Sequence, residues 1–168
     1  DHATCADEAR ARWDFEEEVW RTNGGADAMR EATLGGSILN VPEGEGGRAA
    51  PGCAPYAEAK AGVINFTQTA ALELAPLGIR VNALAPDVTL TEGIESLVPA
   101  DSIDHLARMV PMGRVGHVDE LAGAAVFLAS ELSSYVTGQT LHVDGGTHAS
   151  GGWYPHPASG QYILGPPS

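Results

Sequence analysis

Positive charge is scarce in this chain: 9 Lys and Arg stand against 22 Asp and Glu, for a formal charge of −13. A nucleic-acid backbone needs clustered cations to displace its counterions, so that class of partner is not expected. The same deficit speaks against an anionic membrane surface. Cysteine is scarcer still. Cys5 and Cys53 are far apart and form no Cys-x-x-Cys, so neither a zinc site nor a disulfide framework is indicated, and a reducing, cytoplasmic setting fits. His142, His148 and His156 lack metal-ligand spacing, so no metal is expected. No apolar run approaches the roughly 18 residues of a membrane-spanning helix. The opening segment, DHATCADEARARWDFEEE, lacks the basic start and apolar core of a secretory signal. It also lacks an initiator Met, and the start of the gene product is expected to lie elsewhere.

What is present belongs to an ordinary globular domain: 168 residues, 43% hydrophobic and 18% charged. Residues 7–22 read as a helix, Asn23-Gly24-Gly25 interrupts it, and 26–32 suggest a short second one. Gly35-Gly36 opens a short apolar run over Ser37–Val41, compatible with a buried strand. PEGEGGRAAPG follows and is read as a loop. From Tyr56 to Ala75 the pattern is helical, with Val63, Phe66, Ala70 and Leu74 as the apolar set. Pro76-Leu77-Gly78 ends that helix, and Ile79–Leu84 reads as the next buried strand. Strand, helix and strand make a βαβ unit, hence a parallel sheet with a right-handed crossover.

Residues 86–117 form a long excursion with one helical patch, Ile103–Met109. A helix over Val118–Leu132 starts on Asp119-Glu120, where the helix dipole favours negative charge, and shows Leu121, Ala124, Ala125 and Leu128 on one face. A last strand is expected around Thr140–Val143. Beyond it the chain is rich in Gly, Pro and aromatics without a period.

Tyr56 and Lys60 are the residues that suggest chemistry. Four apart at a helix start, they project from one face. A phenol with an ordinary pKa of about 10 is a poor base at neutral pH, and a neighbouring ammonium favours its phenolate. The pair is thus a proton-transfer device, although a tyrosine beside a solvated lysine is the commoner origin of a lone Tyr-x-x-x-Lys.

The run PYAEAKAGVINFTQTAALELAPLGIRVNALAPDVTLT resembles the short-chain dehydrogenase/reductase family through strand, helix and loop without a gap. The resemblance continues through PMGRVGHVDELAGAAVFLASELSSYVTGQTLHVDGGT and back through GGSILNV to FEEEVWRTN, covering roughly residues 15–148. It implies an α/β fold, a partial Rossmann-like parallel sheet flanked by helices. It also implies hydride transfer between NAD or NADP and an alcohol or ketone, in a homo-oligomer whose contacts come from the helices over 56–75 and 118–132. In the resemblance Tyr56 is the general acid/base. Lys60 lowers its pKa and binds the nicotinamide ribose, while Asn23 holds a water in the proton relay. Pro86, Thr89 and Thr91 match the segment that hydrogen-bonds the nicotinamide carboxamide, with Asp87 where the family has glycine. Ordinary loop-capping hydroxyls are the alternative for the two threonines.

Three departures qualify the expectation. Glu43 stands where the family carries the serine that hydrogen-bonds substrate oxygen, and an ionised carboxylate accepts but cannot donate. Ser37 lies too early, inside the strand, to replace it simply. The span from Asn23 to Gly35 is too short for the family's long helix. The strand, glycine-rich turn and helix that receive a pyrophosphate have no match, so NAD and NADP are not distinguished. Without those strands the sheet keeps an exposed edge. Residues 1–148 are therefore read as an incomplete α/β domain on the catalytic side, and 149–168 as a Gly/Pro/aromatic tail in which Trp153, Tyr154 and Tyr162 would line a pocket, make a subunit contact or stay mobile. The alternative to an oxidoreductase is a truncated or degenerate non-catalytic copy, or an interaction module.

Overall fold

The structure is a computed structural model, and it describes residues 35–42, 47–49, 51–91, 100–156 and 158–164. The helices expected over 7–22 and 26–32 lie outside these residues, as do Asn23 and Glu43.

The expected βαβ unit forms. Strand β1 (Gly36–Asn40) leads through a loop to helix α1 (Ala54–Leu74), and β2 (Ile79–Pro86) returns parallel to β1. Strand β5 (Thr140–Val143) pairs parallel on the other side of β2, giving the order β1-β2-β5. Flanked by strands on both edges, β2 is buried at every residue except Arg80. That accounts for the nearly unbroken apolar sequence IRVNALAP, the expected signature of a strand covered on both faces. β1 is half-buried along its whole length and is the outer strand of the sheet among the described residues.

Successive residues of a strand point to opposite faces, and the two faces are filled by different helices. Ile38, Ile79 and Val81 pack with Ala70, Ala71 and Leu74 of α1. Ser37 and Arg80, on the other face, reach helix α3 (Val118–Ala129): Ser37 Oγ donates to the Leu128 carbonyl at 2.9 Å, and Arg80 donates to the carbonyls of Leu128 (2.8 Å) and Ser130 (3.2 Å). Arg80 therefore satisfies carbonyls that end a helix without partners, and its charge opposes the negative end of the dipole. The expected apolar face of α3 is present, with Leu128 fully buried. The helix stops at Ala129, three residues short of the expected Leu132, because Glu131–Ser133 tighten into a 3-10 turn.

One expectation about α1 is corrected. Phe66 is 37% exposed, whereas Thr67 and Lys60 are buried together with Val63, Ala70 and Ala71. At roughly 100° per residue, Phe66 falls about 80° to one side of the stripe through residues 63, 67, 70 and 74. The polar members of the stripe are hydrogen-bonded: Thr67 donates to the Val63 carbonyl at 2.8 Å and accepts from Asn40 at 3.0 Å. The helix then tightens through Ala75–Leu77 and turns at Gly78, which has φ +71°. That glycine lies against Gly35, where an added Cβ would stand 2.7 Å from the Gly78 carbonyl oxygen. The two strands can start side by side because Gly35 carries no side chain, while Gly78 supplies the positive φ of the turn.

The excursion after β2 contains a two-residue strand β3 (Thr89–Leu90), helix α2 (Ala100–Met109) and strand β4 (Gly116–His117), which pairs parallel with β3. The segment after β5 is more regular than its sequence suggested. A single helical turn, α4 (Thr147–Ser150), is followed by an antiparallel hairpin of β6 (Trp153–Pro155) and β7 (Tyr162–Leu164), and β6 lies against α2. Three-residue strands are too short to register a period. No described helix is long and apolar enough to cross a membrane.

Candidate active site

In a parallel sheet, ligands are received at the carboxyl ends of the strands. Three loops meet there: the segment after β1, the Asp87 turn after β2, and the Asp144 turn after β5. Tyr56 and Lys60 come to this end because α1 runs antiparallel to the strands, so its first turns lie over their last residues. Both belong to the stripe that faces the sheet.

Tyr56 is half-buried and Lys60 is only 2% exposed. The Lys60 ammonium lies 5.6 Å from the centre of the Tyr56 ring and donates to the Val41 carbonyl, just past β1, at 3.4 Å. An isolated buried ammonium is costly, so its place is set by polar partners. The alternative of a solvated lysine beside the tyrosine does not hold here. Among the expected cofactor residues, Pro86 ends β2 and is buried, Thr89 is 7% exposed, and Thr91 is exposed. Thr89 is fixed by its pairing with Gly116, whose amide donates to the Val88 carbonyl at 2.9 Å. Asn23 and Glu43 fall outside the described residues, so their roles stay expectations. Ser37 is committed to the Leu128 carbonyl, in agreement with its exclusion as a substitute for the missing serine.

Thr89 and Val88 line a cavity of about 440 Å³ together with Met112, His117, Glu120 and Asp144; Tyr56 and Lys60 are not in its lining. Arg114 and Glu120 close one side through a bidentate pair, 2.8 and 2.6 Å, and Glu120 also accepts from the His117 amide. The Arg114 hydrogen bond, then that of the His117 amide, lower the Glu120 pKa to about 2. This pair orders the start of α3 rather than offering free charge to a ligand.

Two features were not legible in the sequence. Arg48, after β1, forms an ion pair of 2.7 Å with Asp87, whose side chain is 10% exposed. The loop before α1 is thus tied to the turn after β2, across the carboxyl ends of neighbouring strands. The two residues are 39 positions apart and belong to no motif. His142 and His148 stack, with ring centres 3.8 Å apart and planes at 13°. His142 has its pKa lowered by burial first, then by His148, with Asp144 opposing and Arg48 adding to the shift. Asp144 accepts from the amides of Gly146 (2.9 Å) and His148 (2.6 Å), which makes Asp144-Gly145-Gly146 the turn into α4. Among the described residues, no group of three or more potential ligands is placed to hold a metal ion.

The residues present fit one end of a dinucleotide. Lys60 is buried against the end of β1, and Pro86 and Thr89 are buried after β2 at the same end of the sheet, residue types that a nicotinamide ribose and amide would need. The glycine turn between a strand and a helix that the described residues do form, Gly145-Gly146, leads only into the four-residue α4 and lacks the spacing that receives a pyrophosphate.

Residues 22–148 match the family model described as enoyl-(acyl carrier protein) reductase. The 3-oxoacyl-(acyl-carrier-protein) reductase FabG of Chlamydia muridarum is 44% identical over 114 residues, 66% of this chain and 44% of that protein. The gluconate 5-dehydrogenase of Gluconobacter oxydans is 44% identical over 116 residues, 68% of this chain and 45% of that protein. Among solved structures, a gluconate 5-dehydrogenase from Burkholderia cenocepacia, in complex with NADP and tartrate, is 41% identical with a TM-score of 0.67, over 74% of this chain and 49% of that one. The chain thus spans less than half the length of the curated relatives it matches. With a match of this extent on a βαβ unit that buries Lys60 beside Tyr56, the chain belongs to the short-chain dehydrogenase/reductase family.

Proposed function

We propose that this chain carries the acid/base side of an oxidoreductase that interconverts an alcohol and a ketone with NAD or NADP. The observation that carries the reading is the Lys60 ammonium, 2% exposed and 5.6 Å from the Tyr56 ring. The family membership and the NADP in the Burkholderia structure support it. The nicotinamide cofactor, when bound, supplies or accepts the hydride. In reduction, the Tyr56 hydroxyl donates its proton to the oxygen of the forming alkoxide, leaving a phenolate. In oxidation, that phenolate takes the proton back from the alcohol. Lys60 stabilises the phenolate through space, holds the ribose hydroxyls, and is itself placed by the Val41 carbonyl. Pro86, Thr89 and Thr91 would hold the carboxamide, and Asn23 the relay water. The division into a catalytic unit over 1–148 and a tail over 149–168 is part of the same proposal. So is homo-oligomer assembly through α1 and α3, where Leu72 and Val126 are 80% and 67% exposed.

Titration with NADH and NADPH, followed by nicotinamide fluorescence, tests the reading. Saturable binding to at least one is expected. Tyr56→Phe should then lower turnover by at least about 100-fold while leaving cofactor affinity within a factor of about two. Unchanged turnover would remove Tyr56 from the role. A second reading, a non-catalytic relative or interaction module, is favoured by one observation: Asp87 replaces the family's glycine and is engaged by Arg48 across the strand ends. Absence of binding to either nucleotide would support that reading instead.

A further inference from the structure

The stacked histidines join β5 to the turn that opens onto the C-terminal hairpin. His142 is in β5, inside the matched residues 22–148; His148 is the last of them and opens onto the C-terminal hairpin. Both rings lie against the segment that precedes α1. A Cβ added to Gly47 would stand 3.2 Å from Cε1 of His148 and 3.8 Å from Cε1 of His142. A side chain here would press tightly on the His148 ring. The next residue, Arg48, is the one held by Asp87. Anchoring of His148 comes from Asp144, which accepts its amide at 2.6 Å.

We propose that His148 is a positioning residue: stacked on His142, it forms a clasp that holds the Gly47–Arg48 segment across the carboxyl ends of the sheet, closed while the His142 ring is neutral and released when that ring is protonated. Among the described residues, the charges facing the pair are Asp144 from the turn after β5, Arg48 from the loop after β1, and Asp87 behind Arg48 from the turn after β2. Asp144 favours protonation of His142, but its oxygens already accept the amides of Gly146 and His148. Arg48 opposes protonation, with its own charge turned towards Asp87. The Nδ1 atom of His142 is buried with no hydrogen-bond partner, so a proton placed there would find no acceptor.

The direction of the pH effect follows. The closed form holds His142 below its ordinary value of 6.5, while an open form titrates near that value. The open form therefore binds more protons. Closure is complete above about pH 6.5 and is lost as the pH falls below it. The segment that moves leads within a few residues to the helix carrying Tyr56. The clasp stands without the proposed reaction.

NMR on the full chain, labelled with ¹³C at His and Gly, tests the clasp. The contact between the Gly47 α-protons and His148 Hε1 should be present at pH 7.5. The contact should weaken progressively as the pH is lowered from 7 to 5.5, as a proton linked to opening requires. The double variant His142→Phe/His148→Phe keeps a ring stack without a titratable group, and its upfield-shifted Gly47 signals should not change over this range. His148→Ala should lose the shift at every pH. A wild-type contact that survives with His142 protonated would overturn the proposal, as would double-variant signals that follow the wild type. If the contact behaves as expected while neither NADH nor NADPH binds, the proposed reaction fails and the clasp remains.

Discussion

Two cations stand near the strand ends, and the protein treats them in opposite ways. Lys60 is 2% exposed beneath α1, against Tyr56. The Arg114 side chain is 51% exposed and locked to Glu120 at the start of α3. Both belong to stretches that resemble the same family, yet only Lys60 is shielded from solvent. Around an exposed pair the solvent screens most of the interaction; inside, a nearby charge governs which protonation state a phenol prefers. The α1 side is thus the one on which the proposed proton transfer depends, and the α3 pair is a surface contact that holds a helix start in place.

Lys60→Ala should break the contrast most severely. Loss of the ammonium leaves Tyr56 without its stabilising charge, and turnover should fall by about 100-fold or more, with the pH at which activity rises displaced upwards. Steady-state rates across pH 6–10 measure both. Leu128→Ala comes next. Leu128 is 1% exposed, and its removal leaves a cavity where α3 meets the sheet, at a cost of about 2–5 kcal/mol by urea unfolding. The smallest effect is expected at the exposed pair. The Glu120 pKa is lowered from 4.5 to about 2, so its contribution is present above about pH 4.5 and lost as the pH falls through 2. At neutral pH, Glu120→Gln should leave the Tm unchanged within error, and a clear fall would mean the α3 side carries more than the contrast allows.

Much of the fold was legible because local patterns coincide with tertiary ones. The strand at Thr140–Val143 has the expected bounds, and the long helix begins two residues before the expected Tyr56 and ends one before Ala75. Phe66 misled because a large apolar residue was assumed to face inwards, whereas the stripe is set by angle, and Thr67 on that stripe is buried by hydrogen-bonding to Val63 and Asn40. The Arg48–Asp87 pair was illegible for another reason. Neither residue belongs to a periodic pattern, and what joins them is the adjacency of β1 and β2.

The sequence by itself determined the βαβ unit, the family, and the Tyr56–Lys60 spacing, since a helical face and a buried strand are written in neighbouring residues. Tertiary structure alone decided that Lys60 is buried rather than solvated, that Arg48 meets Asp87, and that His148 lies on His142. Each of those depends on which strand ends stand side by side, and residues far apart in the chain acquire a common environment only when the parallel sheet brings their loops to the same end.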